Sequence, residues 1–241
     1  MKLAARWIGR FHAAQAKRAG TAALAFLHRY DAEYYRGWVR RTAEFARPLP
    51  GPRPWLGPLC ERADELFAPL LESPTTVIHG ELYSKNVLLH NQRVYPVDWE
   101  SAALGPGEID LAALTEGTGW APSTVRQFQR AYQQARWPDG APANFEKRLE
   151  AAHLYLHFRW LGERPDWAVR EKSLWRYDEL RAAAQRLGLT GPVVDAGFTP
   201  EEACRADQAA RPSGRDCNIS RRRTQPQNRH RAAKGKRRHR P

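Results

Sequence analysis

Within one short stretch of this 241-residue chain stand a histidine and a carboxylate at His79-Gly80-Glu81, an amide at Asn86 and a second carboxylate at Asp98. Val77-Ile78 runs into the first group, Val87-Leu88-Leu89 leaves the amide, and Val94-Tyr95-Pro96-Val97 climbs back to Asp98. Apolar runs this short, bounded by the turn residues His90-Asn91-Gln92, predict strands rather than helices. The pattern is strand, polar loop, hairpin. A hairpin returns its far end to its start, so Glu81, Asn86 and Asp98 should converge on one small site. Phosphoryl transfer from a nucleotide needs that set: a carboxylate beside the attacking hydroxyl, and an amide oxygen with a second carboxylate to hold Mg²⁺ against the phosphates.

The spacing from acid to amide is also that of the protein-kinase catalytic loop, H-R-D-x-x-x-x-N followed by a metal-binding Asp. The string resembles the aminoglycoside phosphotransferase family and its choline-kinase-like relatives, whose loop reads H-G-D-x-x-x-x-N. GPGEIDLAAL, from Gly105 to Leu114, is similar to a later family segment and places its Asp at Asp110. The resemblance implies that Glu81 orients or deprotonates the acceptor hydroxyl, and that Asn86 and Asp98 hold Mg²⁺. Lys85 would contact ATP, and His79 and Asp110 would brace the loop. Glu81 stands where the family pattern has Asp. One extra methylene displaces the carboxylate by about an ångström, and a misplacement of that size can cost roughly a hundredfold in rate. An ordinary surface hairpin is the plainer reading, but four matches in register over one window disfavour it.

The elements that must position these residues read as mainly helical. Leu3, Trp7, Ile8 and Phe11 recur at helical spacing over residues 2–19, with His12 beside the apolar face as a core histidine. Asp31 predicts a cap for a helix to Ala46, and Leu59, Ala63, Leu66, Phe67 and Leu70 stripe a single helix from Trp55 to Glu72. Further helices are expected over 108–116, 123–136, 143–162 and 167–187, the last with Val169, Leu180, Ala184 and Leu187 inward. His153 and His157, one turn apart, have metal-ligand spacing, but packing is the better reading without the glutamate of a zinc-protease signature. The fold class is therefore α+β, resembling the C-terminal lobe of a protein-kinase-like fold with a small β-hairpin at the catalytic loop. Residues 1–78 read as helical ahead of that loop, with Lys2 and Lys17 on the first helix and no glycine-rich loop, so the N-terminal, nucleotide-clamping lobe is expected to be missing. A truncated or split gene product and a shortened relative kept for binding both fit, and a separate N-lobe partner would complete the first.

Composition narrows the class. A hydrophobic content of 42% suits a globular core, and no apolar run approaches the ~18 residues of a membrane span. Three scattered cysteines, Cys60, Cys204 and Cys217, form neither a disulfide framework nor a zinc knuckle, and with the lack of a secretion signal they point to the cytoplasm. Of the net charge of +13, nine units come from residues 201–241, where thirteen Lys or Arg face four acids. Residues 1–200 are expected to be the phosphotransferase lobe and 201–241 a disordered basic tail. The favoured function is ATP- and Mg²⁺-dependent phosphorylation of a small-molecule hydroxyl, weak in a chain without the smaller lobe. Glu81, Asp98, Glu100 and Glu116, with Tyr83 and Trp120, suggest an acidic, aromatic-edged pocket for a cationic acceptor. The competing function is a non-catalytic binding module whose tail holds nucleic acid or another anion by counterion release.

Overall fold

The computed structural model describes residues 1–49, 51, 53–116 and 119–189. The tail at 201–241 lies outside the described residues. In chain order the elements are α1 (Lys2–Ala16), β1 (His28–Arg29), α2 (Ala32–Phe45), α3 (Leu56–Glu61), α4 (Ala63–Leu71), β2 (Thr75–Ile78), β3 (Val87–His90), β4 (Arg93–Pro96), β5 (Ala103–Pro106), α5 (Glu108–Thr115), α6 (Pro122–Arg136), α7 (Phe145–Glu163), α8 (Pro165–Ala168) and α9 (Trp175–Arg186). The fold is mainly helical with two small sheets.

Helix α7 is the axis of the core. It buries residues all round, from Leu149 and Ala152 to Phe158 and Leu161, and packs against α2, α4, α5 and α9. A helix apolar on every side belongs in an interior. Helix α5 is likewise interior, with all eight residues buried, so whatever polar groups it carries must find partners inside the protein. Helix α1 shows the one-sided pattern, burying Ala4, Ala5, Ile8, Gly9 and His12 against α6 and β2. Asp31 caps α2, its Oδ1 accepting the Tyr34 N–H at 2.9 Å, as its place before an apolar stripe predicts.

Sequence and structure part in three places. The stretch read as one helix from Trp55 to Glu72 is two, because Arg62 (φ −94°, ψ 24°) turns the chain between α3 and α4, although the predicted inward residues are all buried. The stretch 167–187 is also divided, and Val169, expected inside, is exposed while Leu180 and Ala184 are buried. Residues 1–78 are not helical throughout: β1 pairs in parallel with β5, which pairs antiparallel with β2, giving a three-stranded sheet in the order β1-β5-β2 beside the expected hairpin. Two residues of strand carry no periodicity to read.

The hairpin β3–β4 has the expected register, Val87 opposite Pro96 through His90 opposite Arg93. Asn91 (φ 45°) and Gln92 (φ 62°) form its two-residue turn with both residues left-handed, the combination that matches the twist of paired strands.

Candidate active site

The loop after β2 is tied down by a single carboxylate from α5. Asp110 Oδ2 accepts the backbone N–H of His79 at 2.7 Å, and Oδ1 accepts that of Gly80 at 2.9 Å. Oδ2 also meets Nε2 of His12, from α1, at 3.0 Å, and Asp110, His12 and His79 are each 0% exposed. A carboxylate this deep would be costly alone, but three donors satisfy it. Burial, outweighing the nearby Asp110 carboxylate, holds the His12 pKa below its ordinary value, so the ring is neutral at pH 7. Its Nε2–H then donates to Asp110, and its Nδ1 accepts the Tyr132 hydroxyl at 3.0 Å. Tyr132 in turn accepts from Arg136, whose Nη1 also donates to Glu108 at 3.3 Å. A continuous buried chain therefore runs from Glu108 through Arg136, Tyr132 and His12 to Asp110 and the loop.

Two glycines make this close approach feasible. Gly80 has φ +82°, and a Cβ there would collide with the carbonyl oxygen of Ser101. At Gly107 a Cβ would overlap His12 Nδ1 and come within 2.6 Å of Arg136 Nη1 and 2.8 Å of the Tyr132 hydroxyl.

The sequence-predicted residues meet at the next layer of bonds. His79 donates from Nε2 to the carbonyl of Val97 at 2.9 Å, which fixes the tautomer and leaves Nδ1 to accept the Glu81 N–H at 3.4 Å. Asn86 donates from Nδ2 to the carbonyl of Glu81 at 2.9 Å, and its own carbonyl accepts the Val97 N–H at 2.9 Å. Glu81, Asn86 and the residue preceding Asp98 are thus knotted together through their backbones. Asp98 itself is left-handed (φ 68°, ψ 62°), and its side chain is exposed. Among the described residues neither the Asn86 Oδ1 nor the Asp98 carboxylate has a hydrogen-bond partner, and no cluster of three or more His, Cys, Asp or Glu gathers to hold a metal. A carboxylate and an amide oxygen are donors of the kind that suit Mg²⁺, which takes oxygen ligands and is commonly held by one or two carboxylates with waters and substrate phosphates.

The Glu81 carboxylate is held by an ion pair. It reaches Nη2 of Arg159, on α7, at 2.5 Å, with the two side chains 22% and 14% exposed. The pair lines a cavity of about 140 Å³ together with Tyr83, Lys85, Trp160 and Trp167, and Glu163 completes the wall. Trp160 donates its indole N–H to the Tyr83 hydroxyl at 2.9 Å and stacks on Trp167 with centroids 5.0 Å apart. Of the other residues expected in this pocket, Trp120 packs edge-on against Phe128, whereas Glu116 is close by without lining the wall, accepting at 2.7 Å from Arg176, whose guanidinium lies 4.4 Å from the Trp160 ring centroid. Lys85 is at the pocket, its Nζ 5.8 Å from the Tyr83 ring centroid. Arg159, Trp160 and Trp167 escaped the sequence reading because helical spacing marks Trp160 only as core and no motif marks the others. His153 and His157 are packing residues as expected: both rings are held below the ordinary histidine range, His157 down to about 3 by burial and then by Arg176.

The profile of the phosphotransferase enzyme family matches residues 1–145. No curated protein sequence matches the chain. Among solved structures, a choline/ethanolamine kinase family protein from Mesorhizobium loti is similar with a TM-score of 0.52 at 16% identity, over 82% of this chain and 64% of that one. A choline kinase from Cryptosporidium parvum Iowa II gives 0.51 at 13% identity, over 83% and 67%. LicA, solved in complex with AMP, gives 0.51 at 14% identity, over 76% and 61%. The chain therefore spans under two thirds of the first and third of these proteins. At such identities the likeness is one of fold, and the fold is protein-kinase-like. With the profile covering more than half its length and carrying the His79 loop, the hairpin and Asp110, the chain belongs to the phosphotransferase enzyme family.

Proposed function

We propose that this chain is the catalytic lobe of a small-molecule phosphotransferase, moving the γ-phosphoryl group of ATP to a hydroxyl. The observation that carries the reading is the knot in which His79 holds Val97, Asn86 holds Glu81, and Asp110 holds the N–H groups of His79 and Gly80. It ties the backbones of Glu81, Asn86 and Val97, the residue before Asp98, to one another, which supports the reading because positioning supplies most of the catalysis in this reaction. Asn86 Oδ1 and Asp98 would hold Mg²⁺, which neutralises charge on the nucleotide phosphates when bound. Glu81 faces the small cavity, where it would orient the acceptor hydroxyl and receive its proton. Arg159 fixes which way the carboxylate points, so the longer Glu side chain keeps a defined position. Lys85, between the cavity and Asn86 in the chain, would meet the phosphates. The acids Glu81 and Glu163 with the rings of Tyr83, Trp160 and Trp167 suit a compact amine-bearing or sugar-like acceptor, and about 140 Å³ is below the ~300 Å³ at which drug-sized sites begin.

Among the described residues no glycine-rich phosphate loop and no strand lysine stands over the hairpin. This supports reading residues 1–189 as the larger lobe, with slow turnover expected unless a smaller lobe is supplied by another segment or partner. Calorimetric titration with ATP tests the reading at the binding step. Mg²⁺-dependent binding lost in Asp98→Asn, which keeps the side-chain size and tolerates the left-handed backbone, is the expected result. The absence of any Mg²⁺-dependent component of binding, or a Mg²⁺-dependent component equal in the two proteins, would refute it.

A further inference from the structure

A second cleft, on the opposite edge of the hairpin strand β4, is independent of the phosphotransferase reading. It has a volume of about 410 Å³ and lies between α1 and β4, lined by Arg6, Trp7, Arg10, Arg93 and Tyr95 among others, with no Asp or Glu in its wall. Arg6 and Arg10 are one helical turn apart on α1, and Arg93 faces them from the far end of the hairpin turn. All three side chains are exposed, and among the described residues none has an ion-pair partner.

Elsewhere in the described structure some arginines, such as Arg47, Arg126 and Arg130, also lack an ion-pair partner, but none of those lines an acid-free cleft with two others, and many of the rest are paired. Arg36 pairs with Asp64, Arg40 with Glu33, Arg62 with Glu65, Arg136 with Glu108, Arg159 with Glu81, Arg176 with Glu116 and Arg186 with Glu150. The cleft lacks acids because its sequence lacks them: residues 1–30 contain six Lys or Arg and no Asp or Glu, and residues 86–97 contain none either. Three like charges gathered in one concave site repel one another, and a cleft lined by one sign of charge focuses that field on an incoming anion. Guanidinium groups match phosphate oxygens with two parallel N–H donors each. Tyr95, 44% exposed, and the half-buried Trp7 add aromatic surface beside them.

We propose that this cleft binds a phosphate-bearing ligand of nucleotide size, its phosphates held by Arg6, Arg10 and Arg93 and its base set against Tyr95 and Trp7. The volume falls within the range of small-molecule sites, ~300–1,000 Å³, and matches a single nucleotide better than a strand.

The test is titration of the full chain with ADP in EDTA, which removes the divalent ion that the catalytic corner requires. The expected result is saturable binding that weakens about tenfold or more in Arg6→Gln/Arg10→Gln and again in Arg93→Gln, since a charge-assisted hydrogen bond is worth about a factor of ten or more. Asp98→Asn should bind ADP as the parent does, so loss of the catalytic reading leaves this one standing and the reverse. Binding unchanged by the arginine substitutions overturns the proposal. So does tighter, arginine-dependent binding of a short oligothymidylate than of ADP, which would give the cleft to a nucleic-acid strand.

Discussion

The clasp around Asp110 and the cleft on α1 use the same helix in opposite ways. On its inner side His12 enters a chain of polar groups in which Asp110, Tyr132 and Arg136 all have partners, while Glu108 Oε1, at the far end, has none. On its outer side Arg6 and Arg10 stand without partners. A buried polar group left unpaired costs more than a pair contributes, so pairing on the inner side bears on whether the protein folds. An exposed charge carries no such penalty and is free to serve a ligand. Stability should therefore track the clasp and binding should track the cleft.

The largest effect is expected from Asp110→Ala. It strands the N–H groups of His79 and Gly80 and one nitrogen of His12 in a dry interior, and should lower unfolding free energy by about 3–5 kcal/mol. An unfolding free energy from urea denaturation lowered by less than about 1 kcal/mol would mean that the clasp does not hold the loop. Gly80→Ala comes next, at about 2–3 kcal/mol, because the left-handed backbone and the Ser101 carbonyl both oppose a Cβ. Here the unfolding curve and Mg²⁺-dependent ATP binding should fall together, and a stable variant with normal binding breaks the link between loop shape and site.

Acid should act on the inner histidines. His157 is held neutral, its pKa near 3 in the folded protein against about 6.5 when unfolded. The unfolded chain therefore takes up a proton that the folded one refuses, and stability present above pH 6.5 is lost as pH falls toward 3. The slope is about 1.4 kcal/mol per pH unit for such a group. Buried His12 and His153 shift in the same direction and add to it. His157→Gln should flatten the stability profile between pH 6 and pH 4, and an unchanged slope would remove His157 as a source. The smallest effect belongs to the cleft. Arg6→Gln/Arg10→Gln should change thermal stability by no more than about 0.5 kcal/mol, upward if anything because like charges are relieved. Marked destabilisation would show that these arginines serve the fold instead.

What the sequence could reveal follows the distance over which each interaction acts. The hairpin was legible because its register is set by a two-residue turn and two short apolar runs, and the Asp31 cap because its partner is three residues away. The link of Asn86 to Val97, next to Asp98, followed from that hairpin. The partners that complete the site were not legible: Arg159 comes from 78 positions beyond Glu81, and His12 reaches Asp110 across 98. No periodicity encodes such pairings, since an arginine on a helix reads as solvated until the opposing surface is known. The breaks at Arg62 and around Val169 escaped for a different reason, because the inward stripe continues across the first and local turns in the second carry no strong breaker.

Gly107 shows how a residue can be indispensable without touching a ligand. Three polar side chains crowd the place where its Cβ would sit, so even alanine would have to push apart His12, Tyr132 and Arg136. A scan of every substitution along the chain would therefore rank this position with the reacting groups. Tolerance maps record where space has run out as faithfully as where chemistry happens, and at Gly107 the two would be mistaken for each other.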